Sequence, residues 1–170
     1  SGFGLFSRIS GTVFNLYCGA SFIYSGTVGV TALGAFCSEV TATGRIIDCA
    51  GTLGSEITVK APGGMAAAGV IGVNYGEIDG FMAGAHAIIS IETDAACSVG
   101  SFIGANYGRI ANVTESTLGG AVAVSLPGST DCSIGSFVGL NAGTIESSFA
   151  ERAIYISLSQ GDNRYLPGSV

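Results

Sequence analysis

The 170-residue chain contains no tryptophan, three prolines and one histidine, and charged residues make up only 11% of it. A soluble domain usually carries roughly 25%, so this surface has to be built from uncharged Ser, Thr, Gly and Ala. Six basic residues face twelve acidic ones, for a net charge of -6, and the basic ones form no cluster able to follow a phosphate backbone. No nucleic acid partner is expected. Apolar residues reach 48%, yet glycine, polar residues or charges break every apolar run before the roughly eighteen residues a spanning helix needs. No membrane-spanning segment is expected, and no capped amphipathic helix is legible. The five cysteines include no C-x-x-C pair, and His86 has no cysteine beside it, which excludes the zinc spacings and leaves no metal or cofactor to expect. With no G-x-S-x-G elbow and no phosphate-binding loop, the common nucleophile and nucleotide signatures are missing as well.

What is abundant is glycine, 28 residues of it, and it is ordered. GSFIGANYGRI, from Gly100, returns as GSFVGLNAGTI from Gly135. Aligning such copies on the glycine before each short apolar strand gives Gly11, Gly44, Gly76, Gly108 and Gly143, at intervals of 33, 32, 32 and 35. A fixed period of this size is the mark of a solenoid. Two positions after each glycine stand Val13, Ile46, Ile78, Ile110 and Ile145, β-branched residues suited to a strand that faces a core. Each unit offers three short strands: one around S-F-I-G, one after the anchor glycine, and one with period-two alternation, as in EITVK, AIISI, AVAVSL and AIYISL. APGG, LPGST and QGDN separate them as turns. Three strands in about thirty-three residues cannot bury a face alone, and stacking at about 4.8 Å per coil solves this by pairing each strand with its own copy. We therefore expect residues 1–170 to form one all-β domain, a β-solenoid of about five coils.

Stacking turns repeated positions into columns. Asn74, Asn106 and Asn141 precede their anchor glycines by two and should form an amide ladder. Arg45, Glu77 and Arg109 fall in one column, where alternating sign fixes register more than it stabilises. Cys97 and Cys132 share a column, which brings them within disulfide range; two small buried side chains would fit that column equally well. Cys18 and Cys49 align less well, Cys37 has no partner, and the odd count leaves at least one thiol free or bonded elsewhere.

GVIGVNYGEIDGF (from Gly69), GSFIGANYGRIANV (from Gly100) and GSFVGLNAGTIESSFA (from Gly135) resemble the GLUG repeat, close to G-G-L-V-G-x-N-x-G-x-I-x-x-S. The resemblance covers about residues 69–150; the first two units lack the asparagine, and the second carries three extra residues. It implies an extracellular scaffold of bacterial surface or secreted proteins, such as adhesins, without catalytic residues.

Catalysis on such a scaffold would need an acid and a base close together on one face. The candidates are Glu77 with Asp79, Glu92 with Asp94 and Glu146 with Glu151; the Glu77 pair belongs to the charge column, Glu92 and Asp94 sit at a strand end, no lysine, arginine or histidine is expected to converge on either pair, and His86 reads as a strand-edge surface residue. We expect no enzyme. Asn112-Val113-Thr114 fits a glycosylation acceptor, a triplet common by chance. Ser1 in place of methionine suggests a processed or excised chain, and neither end carries a recognisable polar cap. Open ends suit a non-enzymatic subunit that stacks head to tail on copies of itself into an extracellular filament. An adhesin segment binding host glycan or protein on a lateral face is the alternative.

Overall fold

The computed structural model describes residues 2–27, 32–61, 67–93, 96–117, 120–126, 131–150 and 154–160. They form three sheets, all of whose pairings are parallel. The chain visits the sheets in turn, five times over, as a β-solenoid. The second sheet shows the plan most simply: Thr12–Phe14, Arg45–Ile47, Glu77–Asp79, Arg109–Ala111 and Thr144–Glu146 lie side by side in coil order. Val13 pairs with Ile46, Ile46 with Ile78, Ile78 with Ile110 and Ile110 with Ile145. The first sheet runs from Gly2–Phe3 to Val138–Asn141, and the third from Tyr17–Thr27 to Ile154–Gln160. In the third sheet the strands are longer than expected, twelve residues in Ala50–Ala61 and Met82–Thr93. Both larger sheets split into two segments per coil in the fourth and fifth coils. Of the expected turns, residues 62–64, 127–130 and 161–163 lie outside the described residues.

The three extra residues of the second coil are absorbed in two places. Gly34 pairs with Gly69 but Cys37 with Ile71, so one residue is held as a bulge. Val40 and Arg45 then face Asn74 and Glu77, which puts two more into the turn between them. Between the second and third sheets the backbone turns through the left-handed region at Asn15, Asp48, Gly80, Asn112 and Ser147, with φ of 51, 49, 71, 52 and 45°. Each stands four residues after its anchor glycine, and Asn, Asp and Gly are the types that tolerate this region best. Asn112 is thus a corner residue of the coil.

The interior is filled by stacked side chains. Ile46, Ile78 and Ile110 are fully buried, while their end-coil counterparts are not: Val13 is half-buried and Ile145 is 37% exposed. The expectation of a buried column therefore holds for the three inner coils only, because among the described residues nothing packs beyond the first and last. An aromatic file runs through the core, from Phe6 against Phe36 (5.5 Å between centroids) to Phe81 (5.2 Å), Phe102 (5.4 Å) and Phe137 (5.3 Å). In the third coil the first-sheet position of Phe36 and Phe102 is taken by the smaller Val70, and Phe81 enters from the opposite wall, where the second and fourth coils have Cys49 and Val113. Large and small are exchanged across the core, keeping volume constant. Burying each such ring contributes about 1.5–3 kcal/mol.

The anchor glycines have a specific cause. A Cβ on Gly76 would lie 2.2 Å from the Gly44 carbonyl oxygen, one on Gly108 2.1 Å from that of Gly76, and one on Gly143 2.1 Å from that of Gly108. Each coil's glycine rests on the backbone of the coil before it. Gly11, in the first coil, has nothing within 4 Å of that point. Gly108→Ala should therefore cost about 1–3 kcal/mol, the usual range for overpacking, and Gly11→Ala should stay within about 0.5 kcal/mol. Urea unfolding followed by circular dichroism reads both, and equal effects would contradict the stacking cause.

Candidate functional site

The asparagine column lies where the first sheet turns into the second. Asn74 and Asn106 are completely buried and Asn141 is exposed. The Asn74 amide donates to Asn106 Oδ1 at 2.8 Å, and the Asn106 amide to Asn141 Oδ1 at 2.7 Å. Asn74 Oδ1 accepts the backbone N–H of Gly76 (3.0 Å) and Asn106 Oδ1 that of Gly108 (3.3 Å). A primary amide suits this place because it carries donors and an acceptor on one flat group, and so can bond above, below and to its own turn. In the first two coils the column is taken by buried Ile9 and Val40. The polar ladder begins only at the third coil.

On the outer face of the second sheet the arginine and glutamate column forms a network. Arg45 Nε is 2.6 Å from Glu77 Oε2, and Arg109 Nη1 is 2.9 Å from Glu77 Oε1. Arg109 also reaches Asp79 at 3.3 Å and, through Nη2, Glu146 at 3.4 Å. Contrary to the sequence reading, a cation does converge on the candidate carboxylates: Arg109, a member of the charge column itself, reaches Asp79 and Glu146, which stand in the column beside Glu77. The Asn112 amide, 2.8 Å from Asp79 Oδ1, and then Arg109 hold the Asp79 carboxyl below its ordinary range. That favours the ionised form, the opposite of what a general acid requires. Asp94 and Glu151 lie outside the described residues, as does the side chain of His86.

Cys97 and Cys132 are joined in a disulfide, with Cα atoms 4.6 Å apart, and are not two separately packed thiols. Cys18, Cys37 and Cys49 are free. Burial pushes the Cys37 thiol up to about 12, against the opposing hydrogen bonds to the Glu39 and Ile9 backbone. It is an inert core residue at neutral pH. Among the described residues no three His, Cys, Asp or Glu side chains gather to hold a metal ion.

Three features escaped the sequence reading. Glu115 is fully buried, with Ser101 Oγ at 2.8 and 3.0 Å from its carboxylate oxygens, and its column neighbours Ala83 and Ala150 leave it room. Tyr75 and Tyr107 stack outside the column at 5.2 Å and 12° between planes, each about half exposed; the repeated N-Y-G was their visible signal. Beside Tyr75 a recess of about 510 Å³ opens, lined by Arg8, Ser10, Glu39, Thr41, Thr43 and Tyr75 among others. Comparison with protein-family models, with curated proteins and with solved structures finds no match.

Two outcomes test this geometry. Asn106→Leu should cost about 1–3 kcal/mol for each buried group it leaves unpaired, and Asn141→Leu, at the exposed end of the ladder, clearly less; chemical denaturation of the two variants compares them. By carboxyl NMR titration, Asp79 should titrate below its ordinary 3.8, and Asn112→Gly, which keeps the left-handed turn, should raise it. Because the folded value is depressed, its small contribution to stability is present above the unfolded value and disappears as pH falls through the folded one. An Asp79 that titrates at 3.8 or higher in the parent would remove the network as its cause.

Proposed function

We propose that this chain is a non-enzymatic extracellular structural protein, a β-solenoid subunit that stacks head to tail on copies of itself into a surface filament. One observation carries the reading: among the described residues, the strands of both terminal coils pair on one side only. Thr12–Phe14 pairs with the second coil alone and Thr144–Glu146 with the fourth alone. Every internal junction of the second sheet is parallel and in register, so the free edge of its last strand presents what the free edge of its first accepts. Continuing the column by translation would set Thr144, Ile145 and Glu146 against Thr12, Val13 and Phe14 of the next copy.

Other features support it. Soluble sheets commonly blunt free edges with lysine or proline, whereas the only lysine here is Lys60. Phe14 and Tyr17 at one end, and Phe149 at the other, are well exposed. A contact that repeats by translation does not close and grows into an open fibre. The Cys97–Cys132 disulfide fits an oxidising, extracellular setting, and the likeness to GLUG repeats suggests a bacterial surface.

The junction can be tested by charge. In a Thr12→Glu/Thr144→Glu variant each glutamate lies beside an arginine of its own chain, Arg45 or Arg109, but the two glutamates meet each other only at the junction. The parent should form fibres in negative stain and fast-sedimenting species. The variant should fold normally by circular dichroism, remain monomeric at low salt and recover assembly near 1 M salt, where the screening length shrinks to about 3 Å. A parent that stays monomeric at all concentrations would overturn the proposal.

A further inference from the structure

The lateral recess spans the first three coils and invites its own reading. It sits where the second coil breaks the repeat. Val40 faces Asn74, so the residue next to it in the second coil beside Tyr75 is Thr41, not an aromatic, and two extra residues lengthen the turn before Arg45. Tyr107 covers the opposite face of the Tyr75 ring. Thr43 Oγ1 donates to the Ser10 carbonyl at 3.0 Å and lies 3.3 Å from Thr41 Oγ1, which ties the first two coils together beneath the recess. Arg8 Nε and Glu39 Oε1, 3.4 Å apart and both solvent-accessible, complete the rim.

We propose that this recess binds a neutral saccharide. The rim charges cancel, so neither an anion nor a cation gains a net attraction. A guanidinium beside a carboxylate offers a donor and an acceptor at the spacing of adjacent sugar hydroxyls, and the threonine hydroxyls add groups that do either. A ring held in place by a second ring provides an apolar platform for the C–H face of a pyranose, with little side-chain freedom left to lose on binding. The volume, about 510 Å³, lies within the range of small-molecule sites, about 300–1,000 Å³. A wholly apolar ligand would make no use of the Arg8–Glu39 pair, and among the described residues an extended peptide finds no unpaired inner-coil strand edge here to join.

Saturation-transfer NMR with cellobiose, lactose, maltose and N,N'-diacetylchitobiose tests it on the parent chain, dispersed as the Thr12→Glu/Thr144→Glu variant if fibres form. At least one sugar should receive magnetisation, strongest at its ring C–H protons. Tyr75→Ala should weaken that sugar's binding at least tenfold and Glu39→Gln by a smaller factor, while Met82→Ala, at an exposed apolar residue of the third sheet, leaves it unchanged. Tyr75→Phe should retain most of the binding and so separates loss of the platform from loss of fold. No transfer from any of the four sugars overturns the proposal, as does full binding by a folded Tyr75→Ala or a preference for sulfated over neutral sugar.

Discussion

Backbone hydrogen bonds that run along the axis, from every coil to the next, impose one condition on the whole chain: each side chain must tolerate its own copy about 4.8 Å away. Few residues do so without arrangement. Asparagine does, because an amide donates on one side and accepts on the other, as from Asn74 through Asn106 to Asn141. Aromatic rings do by stacking, as Phe102 on Phe137 and Tyr75 on Tyr107. Two cysteines in one column can bond to each other. Glycine does where backbone must rest on backbone. A charge does not, since its copy would repel it, and the charge column is consequently written Arg45, Glu77, Arg109. The low charge of this chain is then a consequence of its architecture.

The same condition explains which parts of the fold were legible in residue order. Anything that repeats announces its column: the glycines, the β-branched core positions, the asparagines and the alternating charges could be placed in register by counting. What could not be read was compensation between different columns. Phe81 replaces volume lost at Val70 across the core, and the two are not related by the period. Glu115 is accommodated because its column neighbours are alanines, whereas alternation alone puts a glutamate outside. The left-handed corner was written openly as Asn15, Asp48, Gly80, Asn112 and Ser147, but those types vary, so no single letter recurs to mark the column.

Of the candidate sites, the ladders were visible and the recess was not, for the same reason. Arg8 and Glu39 stand side by side in one column, because Ile9 pairs with Val40, but Tyr75 comes from another column of the third coil, and the recess they share lies at the irregular turn. The repeat predicts the regular faces and is silent wherever it is broken.

Regularity and recognition are therefore divided along the molecule. Among the described residues of the inner coils most side chains satisfy one another within their columns: the Asn74 and Asn106 amides are bonded, Phe36, Phe81 and Phe102 are buried, and Arg45 and Arg109 are paired, so these columns have little chemistry left to offer a partner. Unused bonding capacity collects at the terminal edges, where the periodicity stops, and beside the second-coil turn, where it is interrupted. At the ends the free groups are those of the backbone and match any coil built to the same plan, which favours another copy. Beside the turn they are side chains of mixed character that match no coil at all, and a ligand foreign to the column is what such a surface fits.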